Sequence, residues 1–131
     1  MSFKTFLVET NLSAIERFLK SKARNEWLEV DTFSIYVRKG YHLIQGKIVH
    51  CFDVASIEAD EGERGKGKFK LFMTELKSLL ENHTDLRGNI TMIFVENVLN
   101  SKLVESLPRM GFMSVTQSDP PSFYQELTID R

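Results

Sequence analysis

From Phe33 to Arg38 apolar and polar side chains alternate, Phe33, Ile35 and Val37 against Ser34, Tyr36 and Arg38, the period of a strand with one buried face. Lys39-Gly40 reads as a turn, followed by Tyr41 to Ile44, a second turn at Gln45-Gly46-Lys47, and Ile48 to Ala59. Three antiparallel strands in a meander are the natural consequence. From Lys68 the period changes: Phe69, Phe72, Met73, Leu76, Leu79 and Leu80 recur at spacings of three and four, which predicts a helix ended by Asn82, His83 and Thr84. Arg87-Gly88-Asn89 is a turn, and Ile90 to Val95 is a nearly continuous apolar run, as in a central strand covered on both faces.

The ends complete the pattern. Phe3 to Thr10 predicts a first strand, and Asn11 or Ser13, the latter with Glu16 in a capping-box pattern, predicts the start of a helix with Ile15, Phe18 and Leu19 as its apolar stripe. Trp27 to Val30 reads as a loop over the sheet. Leu103, Leu107 and Met110 predict a helix from Asn100 to Met110, cut short by Pro108. Met113 to Val115 is a strand, Gln117 to Pro121 a loop, and Phe123 to Ile129 a last strand. The order is α/β in the mixed, α+β sense, with antiparallel strands first and crossovers later.

At 131 residues the chain predicts one domain, 1–131, and 42% hydrophobic with 27% charged residues is an ordinary soluble composition. A net charge of -1 provides no global field for nucleic acid or an anionic membrane, so any basic function must be local. The local excess is Arg64 to Lys70, preceded by Glu58, Asp60, Glu61 and Glu63. The single Cys51 excludes an intramolecular disulfide and a cysteine-based zinc site, and it sits in an apolar strand pattern, where a buried inert thiol is expected. His42, His50 and His83 lack metal-ligand spacing, so no metal is expected. No run approaches 18 apolar residues and the first residues lack a signal-peptide pattern, so the expectation is a cytoplasmic protein with no membrane partner.

The meander leads into Glu63 to Met73, ERGKGKFKLFM: strand, glycine-rich turn, helix. Gly65 and Gly67 let the backbone turn tightly and approach a ligand closely, and the amides of Lys66 to Lys70 would be the unpaired donors of a helix's first turn. Basic residues sit at an end where the helix dipole favours acids, a conflict that a bound phosphate would resolve. The spacing is neither that of a Walker A loop nor that of a GxGxxG fingerprint. It resembles the pyrophosphate loop of the GCN5-related N-acetyltransferases (GNATs), Arg/Gln-x-x-Gly-x-Gly/Ala. Arg64, Gly65, Lys66, Gly67 and Lys68 match the first five positions, and the sixth is Phe69. A second segment, NVLNSKLVESLPRMGF from Asn97 to Phe112, resembles the second GNAT motif, with Asn100, Gly111 and Phe112 at the expected spacing. The phrasing of both is closer still to short GNAT-like proteins often encoded by bacteriophages.

The resemblance implies a single GNAT-like domain with a mixed central sheet of about six to seven strands and about three helices. It implies acetyl-CoA as cofactor, held by the backbone of Arg64, Gly65, Lys66, Gly67, Lys68 and Phe69, by the strand edge at Ser56 and Ile57, and by Asn100. The acceptor would be an amine on a small molecule or a protein; the charge balance argues against nucleic acid, and GNATs often form homodimers. For the base that takes the amine's proton, Asp53 lies eleven residues ahead of Arg64, as a GNAT glutamate base does; Glu58 and then Glu96 are the alternatives. Where many GNATs carry a tyrosine acid, seven residues after the motif Asn, this chain has Leu107, leaving Tyr124 of the last strand or water. The competing expectation is a GNAT-fold protein without catalysis that binds a partner protein, from a host for instance.

Overall fold

The computed structural model describes residues 9–30, 33–59, 67–98, 101–115 and 119–129. Six strands and four helices follow one another among them: α1 (Asn11–Lys20), β1 (Asn25–Val30), β2 (Phe33–Ile44), β3 (Lys47–Ala59), α2 (Lys68–Asn82), α3 (Thr84–Arg87), β4 (Met92–Val95), α4 (Ser101–Arg109), β5 (Met113–Ser114) and β6 (Phe123–Glu126). The strands form one sheet in the order β1-β2-β3-β4-β6-β5. Every pairing is antiparallel except β3 with β4, the pair joined through α2. Most of the expected first strand lies outside the described residues; Glu9, at its end, bridges Val30 in parallel.

α1, α2 and α4 are the helices that the apolar periods predict, with shifted ends; the one-turn α3 is a fourth, where the sequence reads as a helix end and a turn. α1 starts earlier than a Ser13 cap would place it, because Thr10 takes the cap and its hydroxyl accepts from the Ser13 amide at 3.1 Å. Ala14, Ile15 and Phe18 form its buried stripe. α2 buries Phe72, Met73, Leu76, Leu79 and Leu80. Its expected end at Asn82 holds, and the chain then makes the one-turn α3 before reversing at Gly88.

Two sequence expectations fail in the meander. Trp27 to Val30 is not a loop but the end of β1, paired in register with Tyr36 to Phe33. Leu28 and Val30 are buried while Glu29 is exposed, so the alternation is real but too short, and too broken by charge, to be legible alone. Lys39-Gly40 is not a turn either: β2 runs unbroken for 12 residues and Gly40 pairs with Cys51. The reversal comes at Gln45-Gly46, where both residues have positive φ, 50° and 79°, as a two-residue hairpin turn requires.

Alternation along each strand divides the interior. Phe52 and Val54, Ile93 and Val95, and Phe123 join the main core with the buried faces of α1 and α2 and with Leu107 of α4. Cys51, Met92, Phe94 and Tyr124, the alternate residues, form a smaller cluster with Ile44 on the opposite face. Among the described residues no helix contributes to that second cluster. No described helix is long and apolar enough to cross a membrane.

Candidate active site at the fork of two strands

The parallel ladder of β3 and β4 is short, from Cys51↔Met92 to Val54↔Val95, and closes with the Glu96 amide donating to the Val54 carbonyl at 3.0 Å. Beyond that point the strands part for two local reasons. On β3 the pairing with β2 skips from Val37↔Val54 to Tyr36↔Ser56, which leaves Ala55 as a bulge that bends the strand. On β4 the chain turns at Asn97, φ 48°, whose amide donates to Ser122 Oγ at 2.9 Å, and the Val98 amide donates to the Pro121 carbonyl at 2.7 Å. The chain after β4 is thus tied to the β6 side, while β3 continues to Ala59 against β2. Ser56 and Ile57 lie on the branch of β3 that has left β4, so among the described residues no strand pairs with that edge and its peptide groups face the fork.

A row of side chains crosses the bare face just before the fork. Arg38 pairs with Asp53, Asp53 with Phe94, and Phe94 with Tyr124, in register over four strands. Asp53 is 2% exposed, a carboxylate in a mostly apolar face, and so needs partners. Its Oδ1 lies 2.8 Å from Nε2 of His42 and its Oδ2 lies 3.6 Å from Nε of Arg38. The Arg38 guanidinium also pairs with Glu96, directly at the fork. The His42 ring stacks on Phe94 with centroids 3.8 Å apart and planes 11° from parallel. Gly40, between Arg38 and His42 on the same face, has no side chain to fill the space that the carboxylate occupies; a Cβ there would come within 2.7 Å of Oδ2. Cys51, in the same cluster, is fully buried, and burial followed by the charge of Asp53 pushes its thiol up to about 12, which makes it inert.

Tyr124 is on the same face as Asp53, one strand removed, but its hydroxyl accepts from Gln45 Nε2 at 3.1 Å and so is directed to the hairpin turn, the end away from the fork. Glu58 is described by its backbone alone, paired with Ser34. Arg64, Gly65, Lys66 and Asn100 lie outside the described residues. Gly67 is described: with φ 75° it is the left-handed N-cap of α2, without a side-chain cap, and its carbonyl accepts the Leu71 amide at 3.0 Å. Among the described residues, a Cβ on Gly67 would meet nothing within 4 Å. Phe69, in the first turn, is half-buried against the main core. Lys68 opens the same turn and α2 has no acid there, which leaves the positive end of its dipole uncompensated by its own side chains.

Sequence reasoning missed Arg38, Gly40 and His42. Their spacing of two would have placed them on one face, had Lys39-Gly40 not been taken as a turn.

The sequence matches no protein-family model and no curated protein sequence. Solved structures show the fold. A variant of the toxin AtaT, bound to the C-terminus of the antitoxin AtaR and acetyl-CoA, superposes with a TM-score of 0.59 at 15% identity over 72% of this chain and 58% of that one. AtaT complexed with acetyl-methionyl-tRNAfMet gives 0.59 at 14% identity, covering 75% and 64%. The KacTA–DNA complex gives 0.58 at 15% identity, covering 76% and 60%. The chain therefore has the GNAT fold, and it spans about three-fifths of the length of these neighbours. Two of the three were solved with a nucleic acid, so the fold gives no support to the expectation against nucleic acid that the charge balance suggested.

Proposed function

We propose that the chain is an acetyl-CoA-dependent N-acetyltransferase acting on an amine. The observation that carries this reading is the fork: β3 and β4 part at Val54 and Val95, and a charged cluster stands at the parting on the face that no described helix covers. A thioester arm lying in the fork would pair with the free edge of β3 at Ser56 and Ile57 as an added strand does. Its pyrophosphate would meet the start of α2 at Gly67 to Phe69, with Arg64, Gly65, Lys66 and Asn100 as the further contacts that the family resemblance implies.

In the reaction the amine nitrogen attacks the thioester carbonyl, the C–N bond forms and the C–S bond breaks. The chain must orient the two reactants and receive the amine's proton. Asp53, Glu96 and His42 are the groups within the cluster that could hold it, and Glu58 stays an alternative on the β3 branch. The departing thiolate takes its proton from water, since Gln45 holds the Tyr124 hydroxyl toward the hairpin turn, the end away from the fork. Asp53 and Glu96 against Arg38 leave the cluster one negative charge in excess, which suits a cationic acceptor.

Titration calorimetry with acetyl-CoA, followed by coenzyme A release in the presence of a peptide amine, an aminoglycoside, a polyamine and an aminoacyl-tRNA, tests the reading. Binding with release for one acceptor class is the expected result; no heat at millimolar acetyl-CoA overturns it. A second reading, a partner-binding protein without catalysis, is favoured by Leu107, which is fully buried in the main core where the family resemblance places a hydroxyl. Acetyl-CoA binding without release for any acceptor is its signature.

A further inference from the structure

Asp53 holds the position that the family resemblance gives to the base, yet it is the most enclosed group of the cluster. At 2% exposure, with His42 on one carboxylate oxygen and Arg38 near the other, it has no free face for an incoming amine. His42 is borne four pairs back, opposite Val49, but its ring reaches over Gly40 to the row of Asp53 and Phe94, one pair before the fork. The His42 side chain is 22% exposed. An ionised carboxylate only accepts hydrogen bonds, so Nε2 carries the hydrogen toward Asp53 and the lone pair stays on Nδ1.

We propose that His42 is the residue that takes the proton from the acceptor amine, with Asp53 as the positioning residue that fixes its tautomer. This rests on the acetyltransferase reading above. As the amine lone pair forms the C–N bond to the acetyl carbon, the proton shed by nitrogen passes to Nδ1, the electron pair of the C–S bond leaves with the coenzyme A sulfur, and the thiolate is protonated by water. The imidazolium then returns its proton to solvent. Asp53, at hydrogen-bond distance, stabilises the positive charge that His42 carries in between. Stacking on Phe94 holds the ring plane, and Arg38 keeps the carboxylate from swinging away. Among the described residues, Asp53 on β3 and Arg38 on its own strand share the face of the ring, and so do Glu29 on β1, Tyr36 on β2, Lys47 and Cys51 on β3, Glu96 beyond β4, and Tyr124 and Glu126 on β6.

The test uses the full chain, acetyl-CoA and the acceptor that gives the fastest coenzyme A release with wild type. His42→Gln keeps a donor for Asp53 but cannot take up a proton. The expected result is unchanged melting temperature and acetyl-CoA affinity and a fall in kcat of about 10²- to 10⁴-fold. A His42→Gln protein with kcat within threefold of wild type overturns the proposal and leaves the acetyltransferase reading standing. Wild type that neither binds acetyl-CoA nor releases coenzyme A overturns both. Nitrogen NMR of the imidazole is independent of any acceptor: the expected spectrum at neutral pH has hydrogen on Nε2, with that preference lost in Asp53→Ala, and hydrogen on Nδ1 in wild type overturns the proposal whatever the activity.

Discussion

Gly40 faces the carboxylate of Asp53 so closely that its missing side chain is a requirement of the site: a Cβ at residue 40 would lie 2.7 Å from Oδ2. The Asp53 carboxylate is the far end of a short side chain, but it cannot move aside freely, because it is buried between His42 and Arg38. Gly40→Ala is therefore expected to cost about 1–3 kcal/mol of stability as an overpacked position. It should also remove most acetyl transfer, since the carboxylate must leave one partner. Urea denaturation with an acetylation assay checks both. A variant as stable and active as wild type would show that the carboxylate has room to shift.

Cys51 provides a prediction at alkaline pH. Its thiol is pushed up to about 12, while an exposed cysteine titrates near about 8.5. Between these values the unfolded chain has released a proton that the folded chain still holds, so stability falls as pH rises through that window, by at most about 1.4 kcal/mol per pH unit from this group. Lysines and tyrosines titrate there too. The measurement is therefore a comparison: Cys51→Ala is expected to be less stable at neutral pH because of the cavity, and to lose less stability than wild type from about pH 9 upward.

His50 gives the opposite slope. Its ring stacks on Tyr41 with centroids 4.5 Å apart, and Nδ1 is buried without a hydrogen-bond partner among the described residues. Burial lowers its pKa, so the folded state holds it neutral while the unfolded chain takes up a proton below about pH 6.5. Stability from this group is complete above that pH and is lost as pH falls. His50→Phe keeps a ring against Tyr41 and removes the titration. Its denaturation midpoint is expected to depend less on pH than that of wild type below about pH 6.5.

Much of the fold was legible because helices and central strands announce themselves by period. The stripe Phe72, Met73, Leu76, Leu79 and Leu80 and the run Met92 to Val95 lie where their spacing puts them. What could not be read is what depends on partners across the sheet. Gly40 looks like punctuation in one dimension and becomes a packing device only once Asp53 is placed beside it. The fork was hidden for the same reason. It rests on a one-residue skip at Ala55 and on the Asn97 and Val98 amides turning to Ser122 and Pro121, contacts between residues about 25 positions apart that no local pattern encodes. Asp53 could be singled out by its distance from Arg64; His42 could not, because its part in the cluster depends on reaching across an empty position.

Gly67 separates a structural turn from a ligand-binding one. Its φ of 75° places it in the left-handed region, where alanine costs about 1 kcal/mol or more, so Gly67→Ala lowers stability even if nothing binds there. Asparagine tolerates that region better, and among the described residues nothing lies within 4 Å of a Cβ there. Gly67→Asn should therefore keep a melting temperature closer to wild type while still placing atoms in front of the amides of α2. If those amides hold the pyrophosphate, both variants lose acetyl-CoA affinity, by tenfold or more (about 1.4 kcal/mol), and the loss does not follow their stabilities. If the turn is only structural, affinity per folded molecule stays at the wild-type value in both. Calorimetric titration of the two variants at a temperature where each is fully folded decides between them, and Gly67→Asn binding acetyl-CoA as tightly as wild type would place the phosphates elsewhere.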